Sequence, residues 1–584
     1  MRGLPYIGYK RTSRLTTDTF GGWREGLRIG DGEWSFTENL TSSAWPMLAA
    51  RAPRGLVRTL TDPGGLLEKD ALALVDNGTL YYNGLPTGLI GLSPGEKQLV
   101  SMGAYLCIWP DKKYFNTADF SDYGDMEARF TSSGSVQFSL CRSDGTEYES
   151  VTRSDTEPTR GSCEVWIDSS GNMSVAMEWS TSAGGWVQIP TVFTKLRFTS
   201  HGEIPALFAE GDGVHIEGAD FEEANGEKIL YAVGGAEGGD ADFVVIVGLL
   251  DESMTQQSGS VKIERTIPPL DFVCECQNRL WGCYYGNDGE RNLNEIYCCA
   301  LGDFKNWRQY RGLSTDAWTA SVGSDGQWTG AVNYLGRPVF FKENRIHLVT
   351  PSAVGAHQVD ELVCRGVQKG SHKSLQVVNE TLFYKSRVDI CAWQGGFPET
   401  ASAALGEVRY YDAVAGAFGQ CYYVSMRAED GNWHLFVYDI RRGIWLREDD
   451  LHALCFAKVD DELYAIDADS GKLWALRGTC GTQEEAVGWQ AVSGVQYYET
   501  ADRKYLSRYN IKLRLDEGAS VTVYLEYDSS GDWVQAGAIE NSGLRTVLLP
   551  VRPRRCDHMR MKLVGTGGVR IFSITRVLEV GSDE

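Results

Sequence analysis

No stretch of this sequence stays apolar for long. The longest such run, Phe243-Val-Val-Ile-Val-Gly-Leu-Leu250, is far too short to cross a bilayer and fits a buried strand. Met1 to Lys10 carry no apolar h-region and no cleavage site, so no secretory signal is expected and synthesis in a cytoplasm is the default. Cations are in deficit. Lys and Arg number 56 against 78 Asp and Glu, a net charge of −22, which argues against a protein that coats duplex nucleic acid, where binding rests on cations meeting phosphates. A wall that nucleic acid slides past is compatible with that balance. Histidine is rare: the eight are scattered from His201 to His558, with no HExxH and no short pairing. Proline is limited to 17 and the charged fraction to 23%, which excludes wholesale disorder. The 14 cysteines, in a long chain without a signal, read as reduced thiols filling core positions.

What the chain does have is glycine, tryptophan and a repeat. From about Asp271 to Arg477, alternating runs are followed by a tight turn and an aromatic-rich second run, as in Asn294 to Tyr297, Asn344 to His347, His434 to Tyr438 and Gly471 to Trp474. Asn77 to Tyr82 is an earlier copy. A spacing of roughly 35–50 residues is that of a four-stranded propeller blade, not of a helical solenoid. The fold class is therefore all-β, a β-propeller of about six blades with an inserted small β region and a C-terminal β-sandwich. Ser324-Asp-Gly-Gln-Trp328 and Glu429-Asp-Gly-Asn-Trp433 both read as hairpins, with Gly taking the positive φ and Asp a local hydrogen bond.

Along the chain, residues 1–65 read as an irregular N-terminal arm broken by Gly21-Gly22, Gly30-Asp-Gly32 and Pro46, Pro53 and Pro63. Trp23, Trp34 and Trp45 lie between turn formers and are expected to pin the arm onto a neighbouring surface. Residues 66–117 supply the first propeller strands, with Leu66 to Val75 a strand leading into the Asn77-Gly78 hairpin. Residues 118–269 interrupt the repeat as one or two small inserted β domains, with a polar, mobile linker from Ser154 to Ser162. Residues 270–488 hold the remaining blades. In 489–584 the blade period is gone, and the alternation at Ile511 to Leu515, Val521 to Tyr527, Met559 to Leu563 and Val569 to Ile574 fits a β-sandwich.

The arm pattern Phe20-Gly-Gly-Trp23, Leu27-Arg28, Gly32-Glu33, Glu38-Asn39, Pro46-Met-Leu48 and Arg51-Ala-Pro53 resembles the opening of bacteriophage tail propeller proteins, the tubular tail nozzle and tail hub of short-tailed phages. It departs from them where Ala52 splits Arg51 from Pro53 and in the residues after Gly22. The resemblance implies a virion tail subunit lining or extending a DNA exit channel. Its partners would be other tail or portal-adaptor proteins, in a homo-oligomeric ring that is hexameric by analogy, with DNA passing unbound.

No local motif carries chemistry, so no catalytic, metal or cofactor residue is assigned and no enzymatic role is expected. Gly91-Leu-Ser93-Pro-Gly95 matches a nucleophile elbow only formally, since Pro-Gly follows in an all-β context. Cys274, Cys276, Cys283, Cys298 and Cys299 lack the paired spacing of a zinc site. Asp467-Ala-Asp469-Ser-Gly471 lacks the bidentate Glu of a calcium loop and resembles a structural Asp-box turn. Arg552, Arg554 and Arg555 form the one basic cluster, expected either as a solvated loop or, with Trp23 and Trp34, as a subunit contact, with nucleic-acid contact ranking third. The alternative to a tail subunit is a host-surface protein that binds or cleaves glycans, with Trp179, Trp186 and Trp533 as candidate stacking residues. A repeat scaffold ranks last, for want of a Gly-His and Trp-Asp signature.

Overall fold

The computed structural model describes residues 11–26, 29–235, 240–250, 256–287, 289, 291–498 and 503–580; Leu27 and Arg28 of the tail-protein pattern fall outside them. The fold is an all-β propeller with an inserted β region and a C-terminal β-sandwich. Among the described residues only Glu203–Leu207 is α-helical.

Seven antiparallel meanders of the blade type follow one another in the described chain. They are blade 1 (63–86), blade 2 (98–125), blade 3 (272–321), blade 4 (330–363), blade 5 (376–400), blade 6 (410–449) and blade 7 (453–475). Their second strands read as continuous apolar runs because both faces are covered: Leu106, Cys107 and Ile108, and likewise Val339, Phe340 and Phe341, have no exposed surface. Blade 7 has three strands of its own. Its fourth position is taken by Gly55–Thr59, paired antiparallel with Lys472–Ala475. A Cβ on Gly55 would lie 1.7 Å from the Cys480 carbonyl oxygen, so this approach admits only glycine.

Two local readings are corrected. Leu66 to Val75 is not one strand: Asp70 adopts φ 57° and turns Pro63–Lys69 back onto Ala71–Asp76. Asp and Asn tolerate that region because a short polar side chain can bond locally. Ser324 to Trp328 is not a hairpin either. It links Trp318–Ser321 of blade 3 to Gly330–Tyr334 of blade 4, and Trp328 is buried. Glu429 to Trp433, by contrast, does turn Cys421–Ala428 into Trp433–Asp439.

The chain divides into two compact units. One holds the described residues of 98–339 and 348–360, including the insert. The insert leaves and re-enters through neighbouring antiparallel strands, Ala128–Thr131 and Lys262–Arg265, so its ends are already together. Its main core gathers Phe130, Phe138, Leu196, Phe198, Val214 and Ile263. A smaller four-stranded sheet (151–188) carries Trp166, Trp179 and Trp186.

The other unit holds the described residues of 1–97, 340–347 and 361–584. Here the arm reading is corrected: the N-terminal stretch supplies strands to both sheets of the sandwich and to blade 7. Trp34–Glu38 pairs with Gly488–Ser493 in one sandwich sheet. Arg11–Thr17 and Leu48–Ala50 pair with Val569–Val580 in the other. Their partners lie some five hundred residues away, so local pattern could not reveal them. The sandwich core is built on Trp34, Trp489, Tyr509, Ile511, Val521 and Leu563.

Candidate functional site

The larger of two adjoining hollows in this unit lies between the sandwich and blades 6 and 7, with a volume of about 550 Å³. One wall is a row of residues across a sandwich sheet, fixed by register: Thr41 opposite Ala49, Ala49 opposite Arg570, Arg570 opposite Arg514, and Arg514 opposite Leu544. Alternation places the row. In Lys504–Leu515, Ile511, Leu513 and Leu515 enter the core while Arg514 points outward; in Val569–Val580, Val569 and Ile571 enter the core and Arg570 points outward. Arg514 and Arg570 are thus like charges on directly paired positions, an arrangement that costs sheet stability. Neither makes an ion pair among the described residues.

The facing wall comes from the propeller: Tyr423 and Glu448 of blade 6, and Leu476 and Arg477 just past blade 7. The Arg477 guanidinium lies over the Phe418 ring, 4.3 Å from its centroid, and it too has no carboxylate partner among the described residues. Asp516 also lines the hollow and is exposed. Glu448 is taken up by Arg54, so three guanidinium groups against the Asp516 carboxylate leave the walls positive in a chain of net charge −22.

The floor is different. Arg51 lines it and Arg54 lies just behind in sequence; both are buried, and each is met by carboxylates. Arg51 donates to Glu484 Oε2 at 2.7 Å and to Asn39 Oδ1 at 2.7 Å. Arg54 donates to Glu448 Oε2 at 2.8 Å and Asp449 Oδ2 at 2.6 Å, and its backbone N–H to Glu484 Oε2 at 2.9 Å. Burial alone would lower the Arg54 pKa, but Asp449 and Glu448 override it and hold the guanidinium well above its ordinary value. Burial would likewise raise Asp449 and Glu484, yet the arginines keep both below the usual carboxylate range.

The second hollow, of about 280 Å³, adjoins the first along Leu40 to Ser43 and holds Arg441 and Arg442. Ser42 Oγ donates to Asp439 Oδ2 at 2.7 Å, which ties this strand to blade 6. Arg442 pairs with Asp439, whereas Arg441 is exposed and unpaired among the described residues.

The residues singled out from sequence lie elsewhere. Trp34 is 2% exposed in the sandwich core and stacks with Phe20, so it has no surface to offer a second subunit. Trp23 packs within the chain, against Phe36 and edge-on to Phe436. Arg552, Arg554 and Arg555 are exposed on the segment before Met559–Thr566, with Arg554 over the Tyr527 ring. Trp179 and Trp186 are cross-strand partners, and each is half-buried. The segment expected to be a mobile linker lies on them: Trp186 Nε1 donates to the Pro158 carbonyl at 3.3 Å, and Arg160 covers the Trp179 ring. Trp533 is overlaid by Lys562 and Arg560. The structure thus brings Trp179 together with Trp186 and Trp23 beside Trp34, and neither pair lies in the arginine-lined hollow. Arg514 and Arg570 carry no sequence signal because an outward cation in an alternating strand looks the same whether or not it has a partner, and Arg441 and Arg477 lie in turns, where an exposed cation is equally ordinary.

Other chemistry has structural explanations. In the Asp467 turn, Asp467 Oδ1 accepts the Asp469 N–H at 3.1 Å and Gly471 takes φ 66°. Cys274, Cys276, Cys283, Cys298 and Cys299 are buried free thiols of blade 3. Burial pushes the Cys276 thiol up to about 12 and Cys298 up to about 11. Among the described residues no three His, Cys, Asp or Glu side chains converge as metal ligands would.

No protein-family model and no curated protein matches the chain. Solved structures do. An exo-β-1,3-galactanase from Phanerochaete chrysosporium is 8% identical with a TM-score of 0.21, covering 52% of this chain and 94% of the galactanase. A glycoside hydrolase family 43 arabinoxylan arabinofuranohydrolase from Bacillus subtilis is 10% identical with a TM-score of 0.19, covering 52% and 94%. The sialidase of Trypanosoma rangeli is 10% identical with a TM-score of 0.20, covering 97% and 96%. These are glycan-processing enzymes and not tail proteins, which overturns the expectation of a non-enzymatic virion tail subunit. The inference from a missing local motif was unsound for a physical reason: side chains that meet in a propeller come from separate blades, so sequence spacing does not display them.

Proposed function

We propose that this protein binds glycans and that the arginine-lined hollow holds a saccharide bearing carboxylate or phosphate groups. One observation carries the reading: Arg477, Arg514 and Arg570 line a single hollow without ion-pair partners among the described residues, two of them as an unfavourable cross-strand pair. Guanidinium groups are the side chains best shaped to grip carboxylate and phosphate, and a bound anion would relieve their repulsion. Thr41 and Ser43 add hydroxyl groups suited to a ligand that is itself rich in hydroxyls. The strongly acidic remainder of the chain disfavours a nucleic acid, whose backbone would meet repulsion beyond the hollow.

Equilibrium binding of the purified protein to acidic and neutral polysaccharides, by calorimetry at two salt concentrations, tests this. Acidic glycans should bind and neutral ones should not, and Arg514→Ala with Arg570→Ala should weaken binding by about tenfold or more, since each charge-assisted hydrogen bond contributes about 1.5–3 kcal/mol. Equal binding of both classes, or of neither, would overturn the reading.

A further inference from the structure

The two hollows are not separate. Thr41, Ser43, Tyr423, Glu448 and Arg477 line both, so they form one groove along the seam between the sandwich and blades 6 and 7. Cations without an ion pair among the described residues stand at three stations in it: Arg441 in the smaller hollow, Arg477 where the hollows join, and the Arg514 and Arg570 pair in the larger. A single anionic sugar needs one such station. Three in series, along a wall anchored by Ser42 and Asp439, match a ligand whose charge repeats along its length.

We infer that the groove takes an acidic saccharide chain with charge on at least two units, running from Arg441 to Arg514 and Arg570. This rests on the saccharide reading above. The charged group is a carboxylate or a phosphate, and the two are separated by using two ligand series. Affinity is measured for galacturonate and its oligomers up to six units, and in parallel for mannose 6-phosphate and a phosphomannan chain. In one series the chain should bind at least tenfold more tightly than its single unit, and that series identifies the charged group. Arg441→Ala should shrink the ratio of chain to single-unit affinity, while Arg514→Ala should weaken both ligands. Far-ultraviolet circular dichroism checks that each variant is folded; Arg441 is exposed and supports no core residue. If single units bind as tightly as chains in both series, or Arg441→Ala leaves the ratio unchanged, the chain-length inference fails and the saccharide reading stands. If no acidic ligand binds at all, that reading fails first.

Discussion

The floor and the walls of the groove both use arginine, to opposite ends. On the floor, Arg51 and Arg54 are sealed from water, and carboxylates of Glu484, Glu448 and Asp449 lie against them. On the walls, Arg477, Arg514 and Arg570 are exposed and make no ion pair among the described residues, although Asp516 lines the same hollow and the chain has 22 more acidic than basic residues. A buried guanidinium must be matched, because an unpaired buried charge is too costly to keep. An exposed one may go unmatched cheaply, so leaving three together while acids abound elsewhere marks the walls as a place for something else to bind.

Substitutions that swap these roles give the sharpest contrast. Arg54→Leu takes the partner from Glu448 and leaves Asp449 only the longer contact to Arg51 at 3.8 Å, and should cost about 3–5 kcal/mol in urea unfolding, the usual penalty for breaking a buried pair. A loss below about 1 kcal/mol would put the floor in the same class as a surface pair. Acid should act on the floor in a defined direction. Asp449 and Glu484 have folded pKa values below their unfolded ones, so their stabilisation is complete above about pH 5 and disappears as pH falls through the lower, folded values. Thermal melts from pH 6 to pH 2 should show this loss, and Arg54→Leu should flatten it. On the walls, Arg514→Ala should leave stability unchanged or raise it by about 0.2–1 kcal/mol, as expected when a like-charge pair is removed, while reducing affinity for acidic glycan. Salt should separate the regions most gently: about 0.5 M NaCl should weaken ligand binding measurably and leave the urea midpoint almost unmoved, because buried pairs are screened far less than exposed charges.

The sequence made the blades legible wherever a hairpin is local. Asn77 and Gly78 both take positive φ and turn Ala71–Asp76 into Thr79–Tyr82, as an Asn-Gly pair between alternating runs predicts. It was silent about partners far along the chain. Nothing near Gly55–Thr59 points to Lys472–Ala475, and nothing near Trp34 points to Gly488–Ser493, so the N-terminal stretch looked irregular. The site was hidden for the same reason. Arg514 and Arg570 each look like an ordinary outward residue of an amphipathic strand, and only the register between the two strands sets them face to face.

The strand that completes blade 7 also bears on how the chain is made. Gly55–Thr59 leaves the ribosome long before its partner, and at about 5–20 residues per second the roughly four hundred residues between Thr59 and Lys472 take on the order of 20–80 s to appear. Throughout that interval an unpaired strand edge waits in the cell. A circular permutant that begins just beyond this strand, with the strand moved to its end, should escape the wait and refold with a higher yield.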